Sequence, residues 1–348
     1  MKSKFFILIA FIFYAAILIA QIPDGYYNNA IGKKDAALKT ALHLIIHDHT
    51  KLGYYVSASY FLTTDWNPNG YLWDMYGETR QTSWNGNILN REHNLPKSWF
   101  GVSGGNEESH PMGTDLHNLY PSEKAANSAK SNYPLGEVNA SPTFNNGVSK
   151  VGKSKIASYS ATVFEPADQY KGDFARDYLY MVTCYENEYS RWTSTGTQSM
   201  LQNDTYPTLK PYAIDLLLKW HSNDPVSEKE TNRNNEVYKI QHNRNPFVDF
   251  PVLAQYIWGD KKGTAWGGND QPDKDFYLSY DNAEKTIFVP LREPENTDYV
   301  IYSILGIMIK AGKFNSESFV DVSYLTSGMY IVLVYSKNNR YAEKILVN

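Results

Sequence analysis

The sequence contains a single cysteine, Cys184, in 348 residues. No intramolecular disulfide can form, so stability must come from an apolar core or from bound metal. Cys184 lies in an apolar stretch of helical character, which suits a buried inert thiol better than a nucleophile. A basic excess is lacking too. Lys and Arg number 33 against 37 Asp and Glu, a formal net charge of −4. High-affinity nucleic-acid-binding proteins usually carry a positive balance. An enzyme needs less, because a local basic patch and a cation can hold phosphate. Internal repeats and low-complexity tracts are absent. Past the N-terminus no apolar run approaches the ~20 residues of a membrane-spanning helix, so no span is expected in the mature form.

Apolar and aromatic material is abundant. The chain is 42% hydrophobic and 15% aromatic, with 28 Tyr and 8 Trp, which excludes wholesale disorder. Its length suits more than one domain. At the N-terminus Lys2 and Lys4 precede an apolar run from Phe5 to Ile19, closed by Gln21-Ile22-Pro23. This reads as a secretory signal peptide, residues 1–20, although Leu18 stands where a small residue is preferred. Its removal takes two lysines from the net charge, −4 − 2 = −6.

Apolar positions at three- and four-residue spacing predict a helix over 34–49 (Ala37, Leu38, Ala41, Leu42, Ile45, Ile46). His43, His47 and His49 accompany it and read as core or solvated histidines, since no acidic partner follows at ligand spacing. Residues 54–90 read as short strands and turns, with a turn at Asn67-Pro68-Asn69-Gly70. Residues 101–114 read as a loop. Further helices are expected from Ser122 to about Lys130, over 172–187 and 208–222, from an Asp224-Pro225 start to about Gln241, and from Pro251 to near Trp258. Asn243 to Phe250 reads as a loop. Glycine, asparagine and aspartate then mark a linker over 261–274. Beyond it, period-two segments such as Met329-Tyr-Ile-Val-Leu-Val-Tyr predict a small all-β sandwich over 275–348. The expected class is α+β, with a principal domain over 21–260.

Two segments carry candidate chemistry: Asn90-Arg91-Glu92-His93-Asn94-Leu95-Pro96, and Asp115-Leu116-His117-Asn118-Leu119-Tyr120-Pro121 running toward Asn127. Phosphodiester hydrolysis needs a group to take a proton from water, and histidine titrates in the right range. It also needs charge neutralised at phosphoryl and leaving oxygens, where a hard cation serves. Mg²⁺ keeps several waters, so one carboxylate and one amide oxygen can suffice as protein ligands. Arginine can grip phosphate through paired hydrogen bonds. On a regular strand Glu92 and His93 would point to opposite faces. Both can serve one site only at a strand end or bulge, or if one reaches around the metal. Alone the Glu-His pair is a moderate signal, beside the reading of a surface Glu next to a hydrogen-bonded His.

These segments resemble the bacterial endonuclease I family of secreted nucleases. The likeness covers roughly residues 23–260 and extends to Gly172-Asp-Phe-Ala-Arg-Asp-Tyr-Leu-Tyr-Met181, Leu218-Lys-Trp-His-Ser-Asn-Asp-Pro-Val-Ser227 and Asn243-Arg-Asn-Pro-Phe-Val-Asp249. The resemblance implies a ββα-metal (His-Me) finger core with several helices, His93 as general base, and Glu92 and Asn127 as metal ligands. It implies that Asn118 braces the hairpin and orients the histidine. Arg176 and Arg244 fall in family motifs and would hold phosphate, with a structural ion pair the alternative for each. His117 would stand near the site, as a hydrogen-bonding neighbour or a direct participant. Arg91 would make a groove or substrate contact. Mg²⁺ is the implied cofactor, with Ca²⁺ or Mn²⁺ as alternatives. Asn94 departs from the larger or more apolar residue expected there. Near the C-terminus, Ser327-Gly-Met-Tyr-Ile-Val332 and Lys344-Ile-Leu-Val347 resemble a type IX secretion sorting domain, which implies handling by a secretion machinery. The implied protein is a monomeric secreted endonuclease acting on DNA and also RNA. The rivals are a non-catalytic polymer-binding protein and a phosphoesterase of small nucleotides.

Overall fold

A computed structural model describes residues 22–102, 106–156, 161–192, 200–268, 279–281, 285–289, 297–304, 307–314, 319–335 and 340–347. The expected signal peptide lies outside them. The chain divides into two units, Met1–Asp270 and Gln271–Asn348.

In the first unit α1 (Asp35–Ile46) matches its apolar spacing and buries Leu38, Leu42 and Ile46. Helix α2 (Ser57–Thr64) occupies part of the segment expected to be strands and turns. Residues 57–64 contain neither Gly nor Pro, and burial of Ala58 and Phe61 outweighs the weak helix propensity of Ser, Tyr and Thr. The expected turn forms between β1 (Trp66–Asn67) and β2 (Tyr71–Leu72), with Gly70 at φ +89°, a region glycine enters without steric cost.

Strand β3 (Leu89–His93) is followed by a short helix α3 (Pro111–Thr114), inside the expected 101–114 loop, and then by β4 (Leu119–Glu123). β3 and β4 pair antiparallel, from Leu89 opposite Glu123 to His93 opposite Leu119. Helix α4 (Lys124–Lys130) follows at once. Its N-cap is Glu123 without a side-chain cap, because Ser122 belongs to the strand. The result is a strand–strand–helix unit. A small antiparallel sheet follows: β5 (Phe144–Asn145), β6 (Lys150–Lys153) and β7 (Thr162–Glu165).

Helix α5 (Lys171–Cys184) crosses the core, buried at every position from Gly172 onward. It packs with α6 (Pro211–Asn223). The expected Asp224-Pro225 start is corrected for α7 (Glu228–Gln241). Ser227 is the N-cap, in a capping box with Glu230. The Asp224 carboxylate is engaged elsewhere, accepting from the Gly172 amide at 2.8 Å. Residues 243–250, expected as loop, contain α8 (Pro246–Asp249), capped by Asn245. The last helix of the unit is α9 (Leu253–Trp258). The expected linker begins too early. Trp266 is 1% exposed in the main core, and its backbone bonds Gly32 and Lys33 at 2.7 and 2.8 Å. Residues 269–278, the rest of that linker and the start of the next domain, lie outside the described set.

The second unit holds β8 (Ser279–Asp281), β9 (Thr286–Phe288), β10 (Asp298–Ser303), β11 (Met308–Lys313), β12 (Phe319–Asp321), β13 (Gly328–Tyr335) and β14 (Arg340–Val347). They form two antiparallel sheets, ordered β11-β10-β13-β14 and β12-β9-β8. One apolar cluster takes side chains from both: Ile287 and Val320 from the smaller, Ile301, Val332 and Ile345 from the larger. Val332 and Val334 are buried while Met329 is 48% exposed, the alternation of a half-buried strand.

Candidate active site

A cleft of about 590 Å³ opens beside the strand–strand–helix unit. β3 supplies Asn90, Arg91, Glu92 and His93 to its wall, and α4 supplies Asn127. Tyr54, Trp84, Lys97 and Ser131 also line it. Neighbours on β3, Glu92 and His93 nevertheless share one cleft, with His93 at the last strand position.

His93 is 5% exposed. Its Nε2 lies 2.9 Å from the Gly113 carbonyl. A carbonyl oxygen can only accept, so Nε2 carries the proton and Nδ1 keeps its lone pair. The ring lies parallel to Tyr54, 3° between planes at 6.0 Å, and edge-on to Phe100. Burial pushes its pKa down to about 4, which leaves the ring neutral near pH 7.

Glu92 is buried and paired. Lys130, at the end of α4, donates to its Oε1 at 2.7 Å and to the His93 carbonyl at 3.1 Å. Burial raises the carboxyl pKa, and the Lys130 ammonium works against that rise. Asn127 makes no side-chain hydrogen bond to another described residue. The cleft therefore holds one carboxylate and one uncommitted amide, a donor set that fits a hard cation retaining several waters.

Arg91 stands on an aromatic wall. Its guanidinium carbon is 4.4 Å from the Tyr54 ring centroid, 5.2 Å from Tyr55 and 5.8 Å from Trp84. Its Nε is buried without a protein partner among the described residues. Buried donors are rarely left unpaired, and this one belongs to a residue lining the cleft.

Asn118 lies behind the histidine rather than on it. Its Oδ1 accepts from the Leu95 amide at 2.7 Å, and its Nδ2 donates to the Leu95 carbonyl at 3.1 Å. It braces the turn that leaves β3, while the direct contact orienting the His93 ring is the Gly113 carbonyl.

Besides Asn118, three more expected site residues, Arg176, Arg244 and His117, are not in the cleft lining. Arg176 is fully buried and forms a two-pronged ion pair with Glu230; Nη2 donates to Oε2 at 2.9 Å, and Nη1 donates to the Asp224 carbonyl at 2.9 Å. The pair ties α5 to the capping box of α7, the structural alternative to a phosphate contact. Arg244 is 1% exposed and bonds both oxygens of Asp249, each at 2.7 Å. His117 is buried against Tyr180 with its rings 4.6 Å apart, and burial holds its pKa near about 3. The Arg176 guanidinium and the His117 ring are engaged by the core, and Arg244 is engaged through Nε and Nη2, with Nη1 buried and without a partner among the described residues.

Several contributors carry no sequence signal. Lys130 enters the sequence reading only as the approximate end of a helix. Gly113 acts only through its carbonyl. Arg233 donates to Asp65 and to the Leu119 carbonyl at 2.9 Å each, fixing β4 opposite His93. The departure at Asn94 also has a partner: its Nδ2 donates to Asp177 at 2.6 Å. A second set of potential ligand atoms exists away from the cleft lining, where His49, Asp115 and Cys184 atoms lie within 4.8 Å of one another. The Asp115 carboxylate there already accepts from Tyr180, Tyr185, Gln241 and the His117 amide.

Comparison with known proteins finds similarity over both units of the chain. A family model for endonuclease I matches residues 35–252. A secretion system C-terminal sorting domain matches residues 282–348. The chain is 39% identical over 256 residues to an extracellular ribonuclease of Bacillus amyloliquefaciens, spanning 70% of this chain and 81% of that one. It is 37% identical over 247 residues to an extracellular ribonuclease of Bacillus subtilis, spanning 68% and 78%. A periplasmic deoxyribonuclease of Aeromonas hydrophila is 25% identical over 202 residues, spanning 54% and 72%.

Proposed function

The chain belongs to the endonuclease I family and is an endonuclease exported to the extracellular space or cell surface, and from that premise we propose that it hydrolyses nucleic acid in the cleft at His93, as a one-metal His-Me finger enzyme. The observation that carries this reading is the free Nδ1 of a neutral His93 in the same cleft as Glu92, Asn127 and Arg91.

His93 Nδ1 takes a proton from a water as that water's oxygen bonds to phosphorus. The Gly113 carbonyl holds Nε2–H and keeps the ring in the tautomer that can accept. The P–O3′ bond breaks, O3′ takes a proton from solvent, and the product carries a 5′-phosphate. The Arg91 guanidinium donates to a phosphate oxygen from beside the Tyr54 ring, its carbon 4.4 Å from the ring centroid. Glu92 and Asn127 would hold a divalent cation, Mg²⁺ by its preference for oxygen ligands, with Ca²⁺ or Mn²⁺ as alternatives. When bound, that ion supplies neutralisation of charge on the phosphoryl and leaving oxygens. Lys130 places a positive charge against Glu92 and fixes its carboxylate at the cleft.

RNA and DNA are both proposed substrates, because the chain resembles proteins named ribonucleases and deoxyribonucleases. The test is hydrolysis of plasmid DNA and of RNA by the secreted protein, with and without chelator. Activity lost in chelator and restored by Mg²⁺ supports the reading. Full activity in excess chelator contradicts it.

A further inference from the structure

The wall around Arg91 contains more aromatic surface than gripping a phosphate requires. Tyr54 and Tyr55 meet edge to face, with centroids 5.6 Å apart at 78°. Tyr54 lies parallel to His93. The rings thus lead stepwise outward, His93 to Tyr54 to Tyr55, from the proposed base toward solvent. Tyr55 is 78% exposed, the most exposed of the large hydrophobic side chains in the described residues. Trp84 lines the same cleft within 5.8 Å of the Arg91 guanidinium.

We propose that Tyr55, with Tyr54 and Trp84 around Arg91, is a stacking subsite for an unpaired nucleobase beside the phosphate held at Arg91, so that single strands are the preferred substrates. The proposal rests on the nuclease reading and adds to it the form of nucleic acid. In a duplex each base is stacked on both sides and paired, so its face cannot reach Tyr55. An unpaired base has a free π-face, and stacking on tyrosine or tryptophan tolerates any sequence. The charge balance points the same way. Duplex binding draws mainly on neutralising many phosphates, and a chain with a formal net charge of −4 has no basic excess to spread along a duplex. Stacking supplies binding free energy that does not depend on positive charge.

The test compares a fluorescein-labelled oligothymidylate, the same strand with an abasic residue at successive positions, and a matched duplex. Binding to the full secreted chain is read by anisotropy in chelator, where turnover is blocked. Hydrolysis is read in Mg²⁺. The intact strand is expected to bind more tightly than the duplex, with one abasic position weakening it. Tyr55→Ala is expected to weaken single-strand binding at least about fivefold and to leave duplex binding unchanged, while Tyr55→Phe keeps the parent value. Equal single-strand binding by parent and Tyr55→Ala, or equal losses on both strand forms, overturns the subsite. Binding with these preferences but no hydrolysis by the parent in any divalent cation would instead sink the nuclease reading, leaving the subsite standing.

Discussion

The Nε2 of His93 donates to the Gly113 carbonyl over 2.9 Å, and this contact selects which nitrogen can accept a proton from water. The nitrogen-15 spectrum of His93 is therefore expected to show the Nε2–H tautomer at neutral pH. Its titration midpoint should fall at about 4, because burial disfavours the charged ring. A midpoint near 6.5, or an Nδ1–H tautomer, would contradict the assignment.

Lys130 and the proposed cation compete for the Glu92 carboxylate. Lys130→Met leaves that carboxylate buried without its partner, and breaking such a pair costs roughly 3–5 kcal/mol. The variant should melt well below the parent without metal. Added Mg²⁺ should then raise its melting temperature more than the parent's, since a ligand that binds only the folded state stabilises it. An equal or smaller rise would place the cation away from Glu92.

Arg176 holds α5 to the capping box of α7 through Glu230. Arg176→Met should destabilise the protein by roughly 3–5 kcal/mol, because Glu230 is left uncompensated. The specific activity of the folded fraction should stay within a few-fold of the parent. Denaturant unfolding together with kinetics below the transition separates the two effects. A large fall in turnover at unchanged stability would return Arg176 to the chemistry.

His117 is kept neutral by burial, with its pKa lowered to about 3 from an ordinary 6.5. Between those values the unfolded chain binds a proton that the folded chain does not, so stability falls as the pH falls through this window. The slope from this one group approaches about 1.4 kcal/mol per pH unit. His117→Gln should lose less stability than the parent on going from pH 7 to pH 5. Parallel losses in urea titrations at the two pH values would contradict the buried neutral state.

Periodic patterns were legible where one face is buried. The apolar spacing of α1 and the alternation in β13 name their elements directly. Helix α2 was hidden because its stability comes from Ala58 and Phe61 meeting distant residues, not from local propensity. The start of α7 is ambiguous in the sequence because two capping signals lie three residues apart, and the reciprocal bonds of Ser227 and Glu230 prevail over Asp224. At the site, Glu92, His93, Asn127 and Arg91 could be named from residue types and family likeness, and they line one cleft. The fate of Arg176, Arg244 and His117 could not be read, since an arginine facing a phosphate and one facing a buried carboxylate look alike in sequence. Lys130 and the Gly113 carbonyl were out of reach for the same reason: their roles exist only once β3, β4 and α4 have folded together.

The most direct test of the account is the rate at which His93→Ala nicks plasmid DNA in Mg²⁺, with near-ultraviolet circular dichroism confirming the parent fold. General-base catalysis of this kind contributes about 10²- to 10⁴-fold, and a loss of that size is predicted. A folded variant that nicks DNA within a few-fold of the parent rate would contradict the assignment of the chemistry to His93.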